Sequence, residues 1–87
     1  MQAEFEINPS QQEIFNAIEN KLIMNYGVET ETVQMESLFK SDFGLDSLDI
    51  VEIVVDMEKK FDISIPDSNM YDVITIKDFV ELIDSLI

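Results

Sequence analysis

The chain has no cysteine, no histidine, no arginine and no tryptophan, and only two glycines and two prolines. Without cysteine there is no disulfide frame and no protein thiol to do chemistry. Without histidine or cysteine a zinc site is out of reach, and a serine nucleophile lacks its usual base. Positive charge is also scarce: five lysines face nineteen acids, a formal net charge of −14. That balance argues against nucleic acid and against anionic membrane surfaces as partners. It favours partners with basic patches, steered toward the chain at rates that fall with salt. No apolar run is long enough to span a bilayer, so no membrane insertion is expected. Met1-Gln2-Ala3-Glu4-Phe5-Glu6 lacks the basic and apolar stretches of a signal peptide, and a cytoplasmic protein is the default.

What is present is a globular pattern. The 87 residues are 46% hydrophobic, enough for one core and not for two. We expect a leader over 1–8, in which no pattern places Phe5 or Ile7, and one domain over 9–87. Asn8-Pro9 opens a first helix, with Asn8 as cap and Gln11 completing a capping box. Ile14, Phe15, Ile18, Leu22, Ile23 and Tyr26 recur at helical spacing until Gly27 ends the run.

The stretch 27–46 is too long for a featureless loop in a compact domain. Val28, Val33, Met35, Leu38, Phe39, Phe43 and Leu45 are spaced through it as anchors, with a short helical turn expected around Glu36–Phe39. A second helix is predicted over 47–61. Ile50, Ile53, Val54, Met57 and Phe61 share one arc, its core face. Asp49, Glu52, Asp56, Lys59 and Lys60 form a solvated face, with Asp56 and Lys60 as an i,i+4 ion pair. Leu48, Val51 and Val55 make a second apolar strip, set apart from the core arc by Glu58. Apolar residues outside the core face of a small monomer mark a docking surface; the alternative is a helix buried on two sides.

Asp62-Ile63-Ser64-Ile65-Pro66 alternates like a strand but ends in proline and has no second strand to pair with, so we expect an extended connector. A short third helix follows from Asp67 to Val73, with Met70 and Val73 inward. Thr75 and Asp78 are spaced as a capping box for a last helix whose apolar residues are Ile76, Phe79, Val80, Ile83 and Ile87, widened by Leu82 and Leu86. The fold class is therefore all-α: a four-helix bundle with a long loop between helices 1 and 2 and a short third helix.

The most informative stretch is Asp42-Phe43-Gly44-Leu45-Asp46-Ser47-Leu48-Asp49. Asp46 is a good N-cap, Ser47 takes the first helical position, and Gly44 permits a turn just before. The result is a presented hydroxyl at a helix start, a place that tolerates an anion such as a phosphate. Asp42, Asp46 and Asp49 do not match the calcium-loop spacing, so diffuse cation binding is all they suggest. Neither a base for Ser47 nor an oxyanion pair is evident, which removes the hydrolase reading.

Asp46-Ser47-Leu48, with Phe39 and Asp42-Phe43-Gly44 before it and Phe61-Asp62-Ile63-Ser64-Ile65-Pro66 after it, resembles the acyl carrier proteins. The tripeptide alone fits any helix-start serine; the matching context on both sides carries the resemblance, which runs from about Ile14 to Ile87. It implies 4′-phosphopantetheine joined to Ser47 through a phosphodiester, with an acyl group held as a thioester at the arm's end. It implies partner recognition by Asp46, Leu48, Asp49, Val51, Glu52, Val55 and Asp56, and an acyl pocket lined by Phe39, Ile50, Ile53, Met57 and Val73. The implied partners are a phosphopantetheinyl transferase and acyl-transferring and chain-elongating enzymes with basic patches, served by a monomer that is not itself an enzyme. Phe43, Leu45 and Ile74 depart from the commoner residues at their positions, and the N-terminal extension is slightly long. The acid before Ser47 favours an acyl carrier over a peptidyl carrier, where Gly-Gly-His/Asp-Ser is commoner. Fatty acid or related lipid biosynthesis is the leading expectation. A carrier for a D-alanyl, polyketide or peptidyl unit, and an unmodified acidic interaction module, remain open.

Overall fold

The computed structural model describes residues 9–87. The leader 1–8 and the Asn8 cap of the first helix lie outside the described residues. Three α-helices are present: α1 (Pro9–Tyr26), α2 (Ser47–Phe61) and α3 (Ile76–Leu86). The short third element of the bundle, Asp67–Asp72, is a 3-10 helix. Its N-cap is Pro66, with no side-chain capping bond, and i to i+3 bonds hold it, Asn69 N–H donating to Pro66 O at 3.0 Å and Val73 N–H to Met70 O at 3.1 Å. Among the described residues there is no strand, only an isolated bridge between Leu38 and Thr75.

α1 packs against both α2 and α3. Ile14, Ile18 and Leu22 stand one helical turn apart and are fully buried. They meet Ile53 and Met57 of α2 and Ile76, Phe79, Val80 and Ile83 of α3 in one core. α1 ends where Gly27 takes φ +69°, a left-handed conformation that costs glycine little. At the end of α2 a non-glycine residue does the same: Asp62 has φ 55°, and the Ile63 N–H closes back on the Glu58 carbonyl at 3.1 Å. Ile87, expected on the apolar face of the last helix, lies beyond its end and is exposed.

The long crossover is pinned by its expected anchors except Leu38, which is exposed. Val33, Phe39 and Leu45 are buried, while Val28, Met35 and Phe43 pack at the core's edge. Phe39 stands edge-on to Phe79 at 5.9 Å and to Phe43 at 6.4 Å. No helical turn is centred on Glu36–Phe39; turns overlap that stretch from either side, one closed by Ser37 N–H to Gln34 O at 3.0 Å and one over 38–44 through Asp42 N–H to Leu38 O and Gly44 N–H to Lys40 O, with a 3-10 turn upstream at Thr30–Thr32. Between these turns the chain lies alongside the start of α3, with Leu38 bridging to Thr75, and its backbone is used by that helix. Ser37 O accepts from Ile76 N–H at 3.0 Å, Met35 O from Lys77 N–H at 2.8 Å, and Ile74 O from Phe39 N–H at 3.2 Å. The loop thus satisfies amides at the start of α3 that would otherwise lack partners. The Thr75–Asp78 capping box completes that start, with Asp78 N–H donating to Thr75 Oγ1 at 3.1 Å and Thr75 N–H to Asp78 Oδ2 at 3.0 Å.

Candidate functional site

Ser47 is the first residue of α2 and is exposed. Its position is fixed from both sides. Upstream, Asp42 Oδ2 accepts from Leu38 N–H at 2.7 Å, Gly44 turns at φ +68°, and Leu45 is buried as an anchor. Downstream, Asp46 and Asp49 form a reciprocal capping box: Asp49 N–H donates to Asp46 Oδ1 at 2.9 Å, and Asp46 N–H to Asp49 Oδ2 at 3.1 Å. Asp46 was legible as a cap; its return bond to Asp49 was not read, although the spacing is that of Thr75 and Asp78. The Asp49 N–H, ahead of smaller contributions, holds the Asp46 carboxyl below the ordinary carboxylate range. Asp46 is therefore a charged cap with little basicity. Among the described residues no group hydrogen-bonds the Ser47 hydroxyl, which is left free to react with an external donor.

Ser47 opens onto a groove of about 730 Å³. One wall is α2, through Ile50, Val51, Val54 and Val55; the other is the 38–41 loop with Met70, Tyr71, Val73 and Ile74. Parts of both apolar strips of α2 thus share one wall, Ile50 and Val54 from the core arc and Val51 and Val55 from the second strip. Glu58 lies between them, and its carboxylate accepts from Ile65 N–H at 2.7 Å rather than standing in solvent. Leu48 is 78% exposed, Val51 56% and Val55 38%, so this strip is open surface. Of the residues expected to line an acyl pocket, Phe39, Ile50 and Val73 stand in this groove. Ile53 and Met57 do not: both are buried in the core, because they sit at the centre of the α2 arc that faces α1 and α3. Leu38, Val54, Met70, Tyr71 and Ile74 line the groove and were not expected there. The one signal for Ile74 was an apolar residue where a polar one is usual.

Glu52 and Asp56 of α2 face α1 instead. Asp56 pairs with Lys21 of α1 and not with Lys60, since a lysine reaching across a helix contact meets less solvent competition than one on an open helix face. The same Nζ lies 3.9 Å from Glu52 Oε2. Tyr26 OH donates to Glu52 Oε1 at 2.6 Å, and burial, followed by that hydrogen bond and the charge of Glu52, raises the phenol above its ordinary value. Lys21 and Tyr26 were missed in the sequence because they sit among the core positions of α1 and their partners are distant in the chain. Among the described residues no group of three or more acids is placed to hold a metal ion, and no helix is long and apolar enough to cross a membrane.

Residues 17–83 match the family model described as phosphopantetheine attachment site. The chain is 40% identical over 73 residues to the acyl carrier protein of Campylobacter lari, an alignment covering 84% of this chain and 95% of that protein. It is 40% identical over 73 residues to the acyl carrier protein of Campylobacter fetus, with the same coverage. With that of Campylobacter jejuni strain RM1221 the identity is 39% over 72 residues, covering 83% and 94%.

Proposed function

The chain belongs to the acyl carrier proteins, a family built around a phosphopantetheine attachment site, and from that premise we propose that Ser47 is the residue joined to the arm. It is a carrier and not an enzyme, and it works with a transferase and with acyl-handling enzymes. The observation that carries the assignment is an exposed hydroxyl with no hydrogen bond among the described residues, at the first position of α2 and at the mouth of an apolar groove. The start of α2 supplies amide N–H groups and a positive dipole end beside the bond to phosphorus. When attached, the arm supplies a thiol that holds the acyl group as a thioester. A tether of this kind raises the concentration of that group at each partner.

Leu48, Val51 and Val55, flanked by Asp46, Asp49, Glu52 and Asp56, form the proposed docking face for enzymes with basic patches. The groove wall of Phe39, Ile50, Val54, Met70 and Val73 is the proposed shelter for the acyl chain, and its volume falls within the roughly 300–1,000 Å³ of small-molecule sites. An apolar groove supports fatty acid or related lipid biosynthesis over a polar cargo such as D-alanine. The charge of −14 opposes self-association and supports a monomer. The proposed compartment is the cytoplasm, where coenzyme A is met. Incubation with coenzyme A and a phosphopantetheinyl transferase tests the reading: intact mass should rise by one phosphopantetheine. A folded chain that gains nothing is an unmodified interaction module. Intact mass of the protein isolated from its host identifies the cargo.

A further inference from the structure

Asp46 caps α2, and Asp49, Glu52 and Asp56 follow along it; the protein treats these four acids as two pairs. Asp46 and Asp49 are bound by each other's backbone N–H groups and have no lysine within ion-pairing distance. Glu52 and Asp56 are held from inside: Lys21 pairs with Asp56 and approaches Glu52, and Tyr26 donates to Glu52. The Lys21 side chain is only 10% exposed, and its Nζ lies 6.0 Å from the centroid of the Tyr26 ring. In a chain with five lysines, both ion pairs found among the described residues belong to this one.

We propose that Lys21 and Tyr26 mask the distal half of the α2 acidic edge, so that a cationic partner is directed to the Asp46–Asp49 end, beside Ser47. This rests on the α2 face being where partners dock. A lysine held between two carboxylates offsets their field locally, and the remaining unpaired charge is concentrated within one turn of the hydroxyl that must be delivered. Lys21 already occupies the place that an ammonium or guanidinium of the partner would take at Glu52 and Asp56. Such a partner must either displace a largely buried cation or bind one turn nearer Ser47. Tyr26 keeps Glu52 turned toward α1. Both are positioning residues; neither touches the reacting group.

The test is affinity for a phosphopantetheinyl transferase, measured between ~20 mM and ~500 mM salt. Lys21→Met keeps the apolar stem and removes the charge. It should bind about two- to five-fold more tightly at low salt, the range expected for releasing exposed acids, with a steeper salt dependence that converges on the parent at high salt. Adding Glu52→Gln and Asp56→Asn to Lys21→Met removes both released acids and should bring the slope to the parent's or below it. Weaker binding by Lys21→Met, or an unchanged slope with folding intact, overturns the masking. Should Lys21→Met fail to fold, Glu52→Gln and Asp56→Asn decide alone. Masking requires each to cost less affinity than Asp46→Asn, which keeps a capping side chain, and an equal cost overturns it. Val51→Glu separates the two levels. If it binds like the parent, the docking face itself is wrong; if it loses binding while the Lys21→Met slope stays flat, only the masking is.

Discussion

Two substitutions two residues apart on α2 should have opposite effects. Ile53 is 1% exposed and Val51 is 56% exposed. Ile53→Val removes one methyl from a packed site and should cost about 0.5–1.5 kcal/mol. For a domain of this size each kcal/mol is about 4–8 °C in Tm, so the expected fall is about 2–12 °C. Val51→Glu removes little buried surface, and glutamate is the better helix former, so its stability should stay within about 0.5 kcal/mol of the parent. It adds an acid to a chain already at −14, and the comparison therefore belongs at ~0.15 M salt, where distant charges are screened. Function should move the other way. A charge set in the middle of an apolar contact should slow loading by a phosphopantetheinyl transferase about tenfold or more, while Ile53→Val loads normally below its melting temperature. Circular dichroism melting and timed intact-mass loading on the same samples supply both readouts. If Val51→Glu melts as low as Ile53→Val or lower and the folded fraction loads normally, the strip is core and the assignment of faces is wrong.

Three further outcomes follow from the geometry. Asp78 is held below its ordinary carboxylate value first by the Thr75 N–H and then by that of Ile74, so its cap is fully formed above about pH 4 and is lost as pH falls through the lowered folded value. Asp78→Ala should cost about 1 kcal/mol at pH 7, and its Tm deficit should shrink on acidification; a deficit that does not change with pH removes the charged cap. Gly44→Ala meets no atom within 4 Å but must take φ +68°, so Tm should fall by the cost of a left-handed residue, about 1–2 kcal/mol, and an unchanged Tm means that the turn is not as described. Added salt or magnesium should raise Tm by relieving self-repulsion, and a flat response would make that repulsion a minor contribution.

The sequence carried the elements whose signals are local. Proline, glycine and the spacing of Ile14, Ile18 and Leu22 bounded α1, and the Thr75–Asp78 spacing announced α3. The exposure of Leu48, Val51 and Val55 was legible because 3.6-residue periodicity places them off the core arc. Tertiary partners were not legible. A helical projection places Ile50, Ile53, Val54 and Met57 on one face, but α2 has two neighbouring surfaces, so that face divides between core and groove. Asp56 had a suitable partner four residues on, and the fold supplied a less solvated one from α1. The backbone bonds that tie Met35, Ser37 and Phe39 to residues 74–77 reach nearly forty residues along the chain, which no window of the sequence contains.

The central claim is that the Ser47 hydroxyl anchors the arm. Peptide mapping by mass spectrometry, after loading with coenzyme A and a transferase, tests it most directly. The account predicts the added mass on the peptide bearing Ser47 and none on a folded Ser47→Ala chain. Added mass on another serine, or loading of Ser47→Ala at the parent's rate, would contradict it.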